Sequence, residues 1–279
     1  MIVSVASGKG GTGKTTVATN LALSIKNVQF LDCDVEEPNA NIFIKAKIDK
    51  TEEISVNYPD IDKAKCDFCG KCSEFCAYNA IAALPKKIIV FPELCHSCGG
   101  CELVCPIYAA INWNKRIVGK VEHGKSDEIE FYHGLLNVGE IQAIPVIKAL
   151  KKKIDRSKNV IIDVPPGTSC PVIESITGSD YCILVTEPTP FGLHDLKLAV
   201  EVVRHLKTPF GVIINRDGIG NNDVEVFCKK ENIPILIKIP ERKNIANLYS
   251  KGIALVNESH EWHEMFGLVF NRIIEECKQ

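Results

Sequence analysis

Eight of the 13 cysteines in this 279-residue chain lie within one stretch of 40 residues. They form two runs that share one spacing, Cys66, Cys69, Cys72 and Cys76, then Cys95, Cys98, Cys101 and Cys105. Spacers of two residues allow three thiolates to surround one face of an iron–sulfur cube. Zinc is the alternative, but zinc sites use two separated pairs of ligands, and no histidine occupies a matching position. The spacing therefore predicts iron–sulfur ligands.

A glycine-rich stretch near the start of the chain has the pattern of a phosphate-binding loop. Its members are Gly8, Lys9, Gly10, Gly11, Thr12, Gly13, Lys14 and Thr15, followed by Thr16. Glycines let the backbone amides turn toward phosphates, and the helix that follows adds its positive end. Lys14 would neutralise the β and γ oxygens of a nucleotide, and the Thr15 hydroxyl would hold Mg²⁺. We therefore predict a nucleoside triphosphate site.

Asp163 ends an apolar run and precedes the turn Pro165-Pro166-Gly167. In phosphate-loop proteins, an aspartate at the end of a buried strand holds Mg²⁺. The alternative is a carboxylate that only caps the next turn. The apolar run and the turn together favour the magnesium interpretation, with a nucleotide-sensitive switch after Asp163.

Buried parallel strands must position these residues. Short β-branched runs, nearly continuous rather than alternating, are typical of such strands. They occur at residues 2–6, 28–31, 160–163, 181–186, 211–215 and 235–239. Helices are expected at residues 15–25, near residues 138–150, and over the last twenty residues, where an apolar stripe would dock on the core.

The cysteine-rich stretch interrupts this rhythm and repeats itself. A shift of 29 residues carries the first cysteine run and Gly70 onto the second run and Gly99, and each half closes with an Ala-Ile pair. We therefore predict a discontinuous α/β domain, residues 1–57 and 114–279, with a small duplicated metal domain inserted at residues 58–113.

The overall composition limits the class of protein. With 46% hydrophobic residues the chain can bury a core, and 33 basic against 35 acidic side chains leave a formal net charge of -2. This balance argues against a nucleic-acid binder or a polybasic membrane clamp. No apolar run of about 20 residues and no signal-peptide pattern are found, so we expect a cytoplasmic protein that does not bind membranes.

The two cysteine runs resemble those of bacterial two-cluster ferredoxins, in which the fourth cysteine of each run ligates the other cluster. The resemblance implies two [4Fe-4S] clusters. Cluster 1 would be held by Cys66, Cys69, Cys72 and Cys105, and cluster 2 by Cys76, Cys95, Cys98 and Cys101. Cys76 departs from the pattern because Ala77 rather than proline follows it.

The rest of the chain resembles the MinD, ParA, Mrp and nitrogenase iron protein group of ATPases. Lys9 matches the early lysine of their deviant Walker A motif, which reaches a nucleotide in the partner subunit. The resemblance implies a homodimer with ATP at the interface. Residues 31–34 resemble the first switch of the group, so Asp34 would position the attacking water. The full expectation is a mostly parallel α/β phosphate-loop NTPase carrying a small α+β ferredoxin domain of the bacterial type.

The same resemblance bears on the base of the nucleotide. Asn215 and Pro240 follow two of the predicted strands, at positions where this group contacts adenine. A guanine-specific motif would need aspartate where Gly218 stands. ATP is therefore expected, although Asn215 is also a residue type that tolerates unusual turns.

Three functions remain open. The first is an ATPase, slow and stimulated by a partner, that gates electron transfer from the clusters to a redox protein. The second is an iron–sulfur or metallocofactor assembly factor, although Mrp-type carriers have a C-terminal Cys-x-x-Cys, and this chain has only isolated cysteines there. These are Cys170, Cys182, Cys228 and Cys277. The third is spatial positioning on a membrane or DNA, as MinD and ParA do.

Overall fold

A computed structural model describes residues 1–127 and 129–278. The strands are β1 Ile2–Ala6, β2 Val28–Asp32, β3 Lys47–Ile61, β4 Ile81–Leu84, β5 Lys87–Val90, β6 Ile111–Ser126, β7 Ile129–Leu136, β8 Asn159–Asp163, β9 Tyr181–Thr186, β10 Phe210–Asp217 and β11 Ile235–Pro240. The helices are α1 Lys14–Leu23, α2 Asn41–Ile44, α3 Lys71–Phe75, α4 Gly100–Leu103, α5 Ile144–Lys151, α6 Cys170–Ile176, α7 Pro190–His205, α8 Asp223–Lys230, α9 Lys243–Ser250, α10 Leu255–Glu258 and α11 His260–Glu276. A 3₁₀ turn covers Pro92–Leu94.

Nine of these strands form one mostly parallel sheet, in the order β11-β10-β9-β1-β8-β2-β7-β6-β3. Only β6 runs in the opposite direction, and it pairs antiparallel with β7 on one side and with β3 on the other. The six apolar runs of the sequence all lie in parallel strands of this sheet, as predicted. The chain therefore has an α/β fold whose parallel strands end at one common edge.

Successive strand residues point to opposite sides of the sheet, so the apolar strands present side chains on both faces. Helices cover both of these faces. Ile2, Val160 and Ile162 pack toward α5 to α8 on one face. Val3 and Ile161 pack toward α1, α10 and α11 on the other. In α11, the apolar stripe is buried against this second core, as predicted.

Strands β3 and β6 are much longer than the others and extend beyond the sheet. Gly119 of β6 lies opposite Leu136, the last residue of β7. Residues 111–117 of β6 therefore pair only with residues 55–61 of β3. This two-stranded arm leaves the sheet at the end where β7 finishes, which is the common edge of the parallel strands.

The segment between the tips of the arm, residues 62–110, is here called the cysteine segment. Its repeat in sequence is also a repeat in structure. The end of β3, α3 and β4 form one β-α-β unit, and β5, α4 and the start of β6 form the second. Asp62 N donates to Ala110 O at 2.9 Å, and Phe91 N makes the equivalent bond to Ala80 O at 2.8 Å.

The cysteine segment also has a small core of its own, built on Ile81, Cys101 and Ile111. No helix in the described part of the chain is both long and apolar enough to cross a membrane.

Candidate nucleotide and iron–sulfur sites

The phosphate loop joins β1 to α1. Gly13 takes a φ of 93°, in the left-handed region that favours glycine, and its carbonyl accepts the first helical bond from Val17 N at 3.0 Å. A side chain on Gly8 would collide with the backbone of Asp195 in α7. These two glycines are therefore required by the turn and by the close approach of α7.

Lys14 and Asp163 bring opposite charges to this loop without neutralising each other. Lys14 is 6% exposed, and its ammonium forms no hydrogen bond or ion pair with the described residues. Both carboxylate oxygens of Asp163 are buried, and neither has a hydrogen-bond partner among those residues. Burial raises the pKa of Asp163 to about 7, and the nearby Lys14 charge opposes the shift. Unpaired buried charges are costly, so the pocket suits phosphate and a divalent cation.

The loop after β2 contains two aspartates with different environments. Asp32 is fully buried, lies beside Asp163 in the sheet, and accepts bonds from Asp34 N and Ala40 N at 3.1 Å. Burial and the Asp163 charge raise the pKa of Asp32 well above its usual range. Asp34 is only half-buried; burial raises its pKa, and the Lys14 charge opposes this. Asp32 therefore fixes the loop, and Asp34 remains available at its surface.

Lys9 forms an ion pair within its own chain. Its ammonium lies 2.5 Å from Glu187, which directly follows β9 and is nearly buried. Glu187 also accepts from Arg216 at 3.2 Å. A lysine held in this way must leave Glu187 before it can reach a nucleotide in a second subunit.

The two residues expected at adenine lie at the same edge of the sheet. The Asn215 side chain donates to Thr12 O at 2.8 Å and packs against Gly13. Pro240 ends β11 and lies opposite Asp217 of β10. Asn215 therefore supports the phosphate loop directly.

The eight clustered cysteines line two separate cavities, and both cavities draw on both repeats. The first contains Cys66, Cys69, Cys72 and Cys105, and the second contains Cys76, Cys95, Cys98 and Cys101. All eight are free thiols. Each cavity thus collects three cysteines from one run and the last cysteine of the other.

The thiols of each cavity do not converge on one point. Among residues 1–127 and 129–278, no three His, Cys, Asp or Glu side chains converge closely enough to bind one ion. A four-iron cluster is different, because each thiolate binds a separate iron and the four need not meet at one point. Burial raises the pKa of Cys101 to about 11, so this thiol is protonated at neutral pH until a metal displaces the proton. The donor set fits two cubane clusters.

Contacts between the cysteine segment and the sheet were missed by the sequence interpretation. The predicted helix near residue 138 begins only at Ile144, because the preceding residues form a loop. Within it, Gln142 Nε2 donates to Cys95 O at 2.6 Å, and the Glu140 carboxylate pairs with Arg116 of β6. The role of Glu187 was also missed, although its position directly after a predicted strand was a usable signal.

Comparisons with known proteins agree with the α/β nucleotide-binding fold. The model of the CobQ/CobB/MinD/ParA nucleotide-binding domain matches residues 3–256. An uncharacterized protein of Methanocaldococcus jannaschii is 33% identical over 259 residues, covering 90% of each chain. An iron–sulfur cluster carrier protein of Pyrococcus furiosus is 25% identical, over 91% of this chain and 78% of its own length.

Solved structures show the same fold. The septum site-determining protein MinD of Pyrococcus horikoshii, complexed with Mg-ADP, superposes with a TM-score of 0.57 at 21% identity, covering 96% of this chain and 93% of MinD. The family match extends over most of the chain and includes the phosphate loop, Asp34 and Asp163. The chain therefore belongs to the CobQ/CobB/MinD/ParA family of nucleotide-binding proteins.

Proposed function

We propose that this protein is an ATPase in which the bound nucleotide controls electron transfer from two [4Fe-4S] clusters to a partner protein. The observation that carries the proposal is the placement of the cysteine segment. Its arm leaves the sheet at the edge where the phosphate loop, Asp34 and Asp163 lie. A nucleotide-dependent movement at this edge would therefore act next to the attachment of the segment.

In the proposed ATP site, the unpaired ammonium of Lys14 binds the β and γ phosphates, and Thr15 and Asp163 hold Mg²⁺ directly or through water. Asp34 positions the attacking water. Lys9 leaves Glu187 and reaches the nucleotide of a second subunit, so the active form is a homodimer. Asn215 and Pro240 contact adenine. For Asn215, this requires the side-chain amide to bind the base while it also donates to Thr12 O.

In the proposed redox domain, residues 58–113, the first cavity holds cluster 1 and the second holds cluster 2. The clusters would supply low-potential electrons, which is the usual chemistry of this ligand spacing. The polypeptide contributes the eight thiolates, the backbone turns around them and the apolar surroundings that exclude water.

An assembly factor is the second candidate, and the iron–sulfur carrier relatives favour it. Against it stands the location of the remaining C-terminal cysteines. Cys182 and Cys228 are buried in strand and helix, and Cys170 and Cys277 are exposed at separate helix ends. Anaerobic incubation with an apo iron–sulfur protein tests this candidate, because a carrier would transfer iron and sulfide, whereas an electron carrier would keep them.

The metal content tests the proposal directly. Protein purified anaerobically should contain about eight irons and eight sulfides per chain. Cys98→Ser should lose about half of the iron, and Cys277→Ser, which changes an exposed thiol outside the cavities, should lose none. Stoichiometric zinc after reconstitution with iron and sulfide, or equal iron loss in both variants, would contradict the assignment.

A further inference from the structure

A short loop connects the cysteine segment with the nucleotide edge of the sheet. It comprises residues 137–143, between β7 and α5, and is here called the strap. The strap is anchored to β6 at its start, where Asn137 N donates to Val118 O at 2.9 Å and Asn137 Nδ2 donates to Ile117 O at 3.0 Å. It therefore follows the base of the arm.

The middle of the strap is fixed by a nearly buried ion pair. The Glu140 carboxylate, 4% exposed, pairs with the Arg116 guanidinium on β6 and also accepts the amides of Ile141 and Gln142 at 3.0 Å. One carboxylate thus sets both the path of the strap and the position of Arg116.

The end of the strap contacts the second cysteine set. The buried Gln142 side chain donates to the carbonyl oxygen of Cys95 at 2.6 Å. Arg116 lies on the part of the arm next to this set, because Ser97 Oγ donates to the carbonyl of Asn57, one residue along β3 from Val56, the partner of Arg116. The Arg116 Nε–H is buried and has no partner among the described residues. A cation with a free donor therefore lies near this cysteine set.

The other side of the strap contacts both nucleotide switches. Leu136 N, directly before the strap, donates to the carbonyl of Val35, next to Asp34, at 2.9 Å. Ala143, at its end, lines one cavity with Asp34 and with Pro165 of the second switch. The strap therefore lies next to the loops of both switches.

The first cysteine set has a different environment. The side chains lining its cavity all come from residues 61–111. Two cations lie near it: Lys71, which lines the cavity, and the half-exposed Lys65, which donates to Ala109 O at 3.2 Å and pairs with Asp62, both within the cysteine segment. None of these described contacts leads to a switch.

We infer that the strap makes the second cysteine set, Cys76, Cys95, Cys98 and Cys101, the nucleotide-responsive redox site, and that Gln142 is the positioning residue that couples it to the switches. This inference rests on the proposed function. Movement of the strap would shift Gln142 and, through its bond to the Cys95 carbonyl, move this cysteine set relative to the charge and free donor of Arg116. Charges and hydrogen bonds near cluster sulfurs are among the factors that set reduction potentials.

The test is an anaerobic redox titration of the full iron-loaded protein, monitored by electron paramagnetic resonance. Each cluster accepts one electron, from the 2+ to the 1+ state, with dithionite as the electron donor. Midpoint potentials are measured with Mg-ADP and with a non-hydrolysable ATP analogue. Coupling between sites is usually a factor of about 5 to 150. At about 59 mV per tenfold change for one electron, the expected shift is about 40 to 130 mV.

Two variants show which cluster the nucleotide-dependent shift in midpoint potential belongs to. Lys65→Met removes a positive charge beside the first set, so it should lower one midpoint potential and leave the nucleotide-dependent shift of the other unchanged. Gln142→Ala should keep eight irons and unchanged nucleotide affinity but reduce the nucleotide-dependent shift at least fivefold. If Gln142→Ala loses iron, the same measurement is made on Gln142→Asn, a milder change in which the side chain is one methylene shorter and its amide donor lies farther from Cys95.

Hydrogen exchange gives a second measurement on the unmodified protein. Exchange of ADP for the ATP analogue should change protection in residues 137–143 and 95–101, and leave residues 66–72 unchanged. A shift that persists in the Gln142 variants, that affects both clusters, or that belongs to the Lys65-sensitive cluster would overturn the inference while leaving the proposed function intact. If neither potential responds to nucleotide in the unmodified protein, the proposed gating itself fails.

Discussion

Replacing Asp163 with asparagine should stabilise the ligand-free protein at neutral and alkaline pH. The Asp163 carboxylate is fully buried and both of its oxygens lack partners among the described residues. In the absence of a cation, folding therefore favours its protonated form. Asparagine has nearly the same shape and carries no charge, so the substitution removes the cost of ionisation inside the protein.

The sign and the size of this stabilisation follow from the pKa of Asp163 in the unfolded chain and in the folded protein. The carboxyl titrates near 3.8 in the unfolded chain and near 7 in the folded protein. Because the folded-state pKa is the higher one, the stabilisation by the protonated form is fully present below about pH 4 and is lost as the pH rises through 7. About three pH units at about 1.36 kcal/mol each give at most about 4 kcal/mol. The variant should therefore gain up to this amount relative to wild type between pH 4 and pH 8.

Denaturant unfolding of ligand-free protein at several pH values measures this difference. An unsatisfied asparagine amide costs about 1 to 3 kcal/mol, but this cost does not depend on pH, so the pH dependence is the informative quantity. Asp60→Asn, at an exposed position of β3, is the matched control and should show no such trend. With Mg-ADP the wild type should be more stable than Asp163→Asn, since only the wild type keeps the carboxylate that would bind magnesium. A stability difference that stays constant from pH 4 to pH 8 would refute the reasoning.

Three further predictions concern the nucleotide. Lys14→Ala should abolish ATP binding, whereas Asp34→Ala should bind ATP but not hydrolyse it; equal loss of binding, measured by calorimetry, would make Asp34 structural. Lys9→Ala should weaken ATP-dependent dimerisation, measured by light scattering. Glu187→Gln should strengthen dimerisation by up to about fivefold, because a partly exposed ion pair contributes at most about 1 kcal/mol. Weaker dimerisation of Glu187→Gln would mean that Glu187 holds Lys9 in its active position. Finally, ATP affinity of Asp34→Ala should differ about 5 to 150-fold between the oxidised and dithionite-reduced protein, and identical affinities would exclude thermodynamic coupling.

The sequence was most informative where strands are buried on both faces. Runs such as residues 160–163 have few polar positions, so their length and β-branching suffice to identify them. Strands β3, β6 and β7 were missed. β3 is largely exposed and rich in charged residues, and its stability comes from pairing with β6 rather than from burial. In β7, Glu130, His133 and Gly134 interrupt the apolar run.

The site was predictable only where its residues are neighbours in sequence. The phosphate loop and each cysteine run are continuous motifs, so each could be recognised as a group from its spacing. The pairing of Lys9 with Glu187 joins residues 178 positions apart, and that of Gln142 with Cys95 joins residues 47 positions apart. Such contacts depend on the order of strands in the sheet, which no local pattern encodes.

The paired tips of the arm make the cysteine segment an exchangeable module. Ile61 and Ile111 are direct partners across β3 and β6, so the segment begins and ends at adjacent points. A tight turn between these two residues would close the arm as an ordinary β-hairpin without disturbing the register of the sheet. The paired ends of β3 and β6 can accommodate any compact unit whose own ends lie close together. A nucleotide-binding protein built in this way can acquire or lose such a segment in one step while its parallel sheet, and the residues at its edge, remain the same.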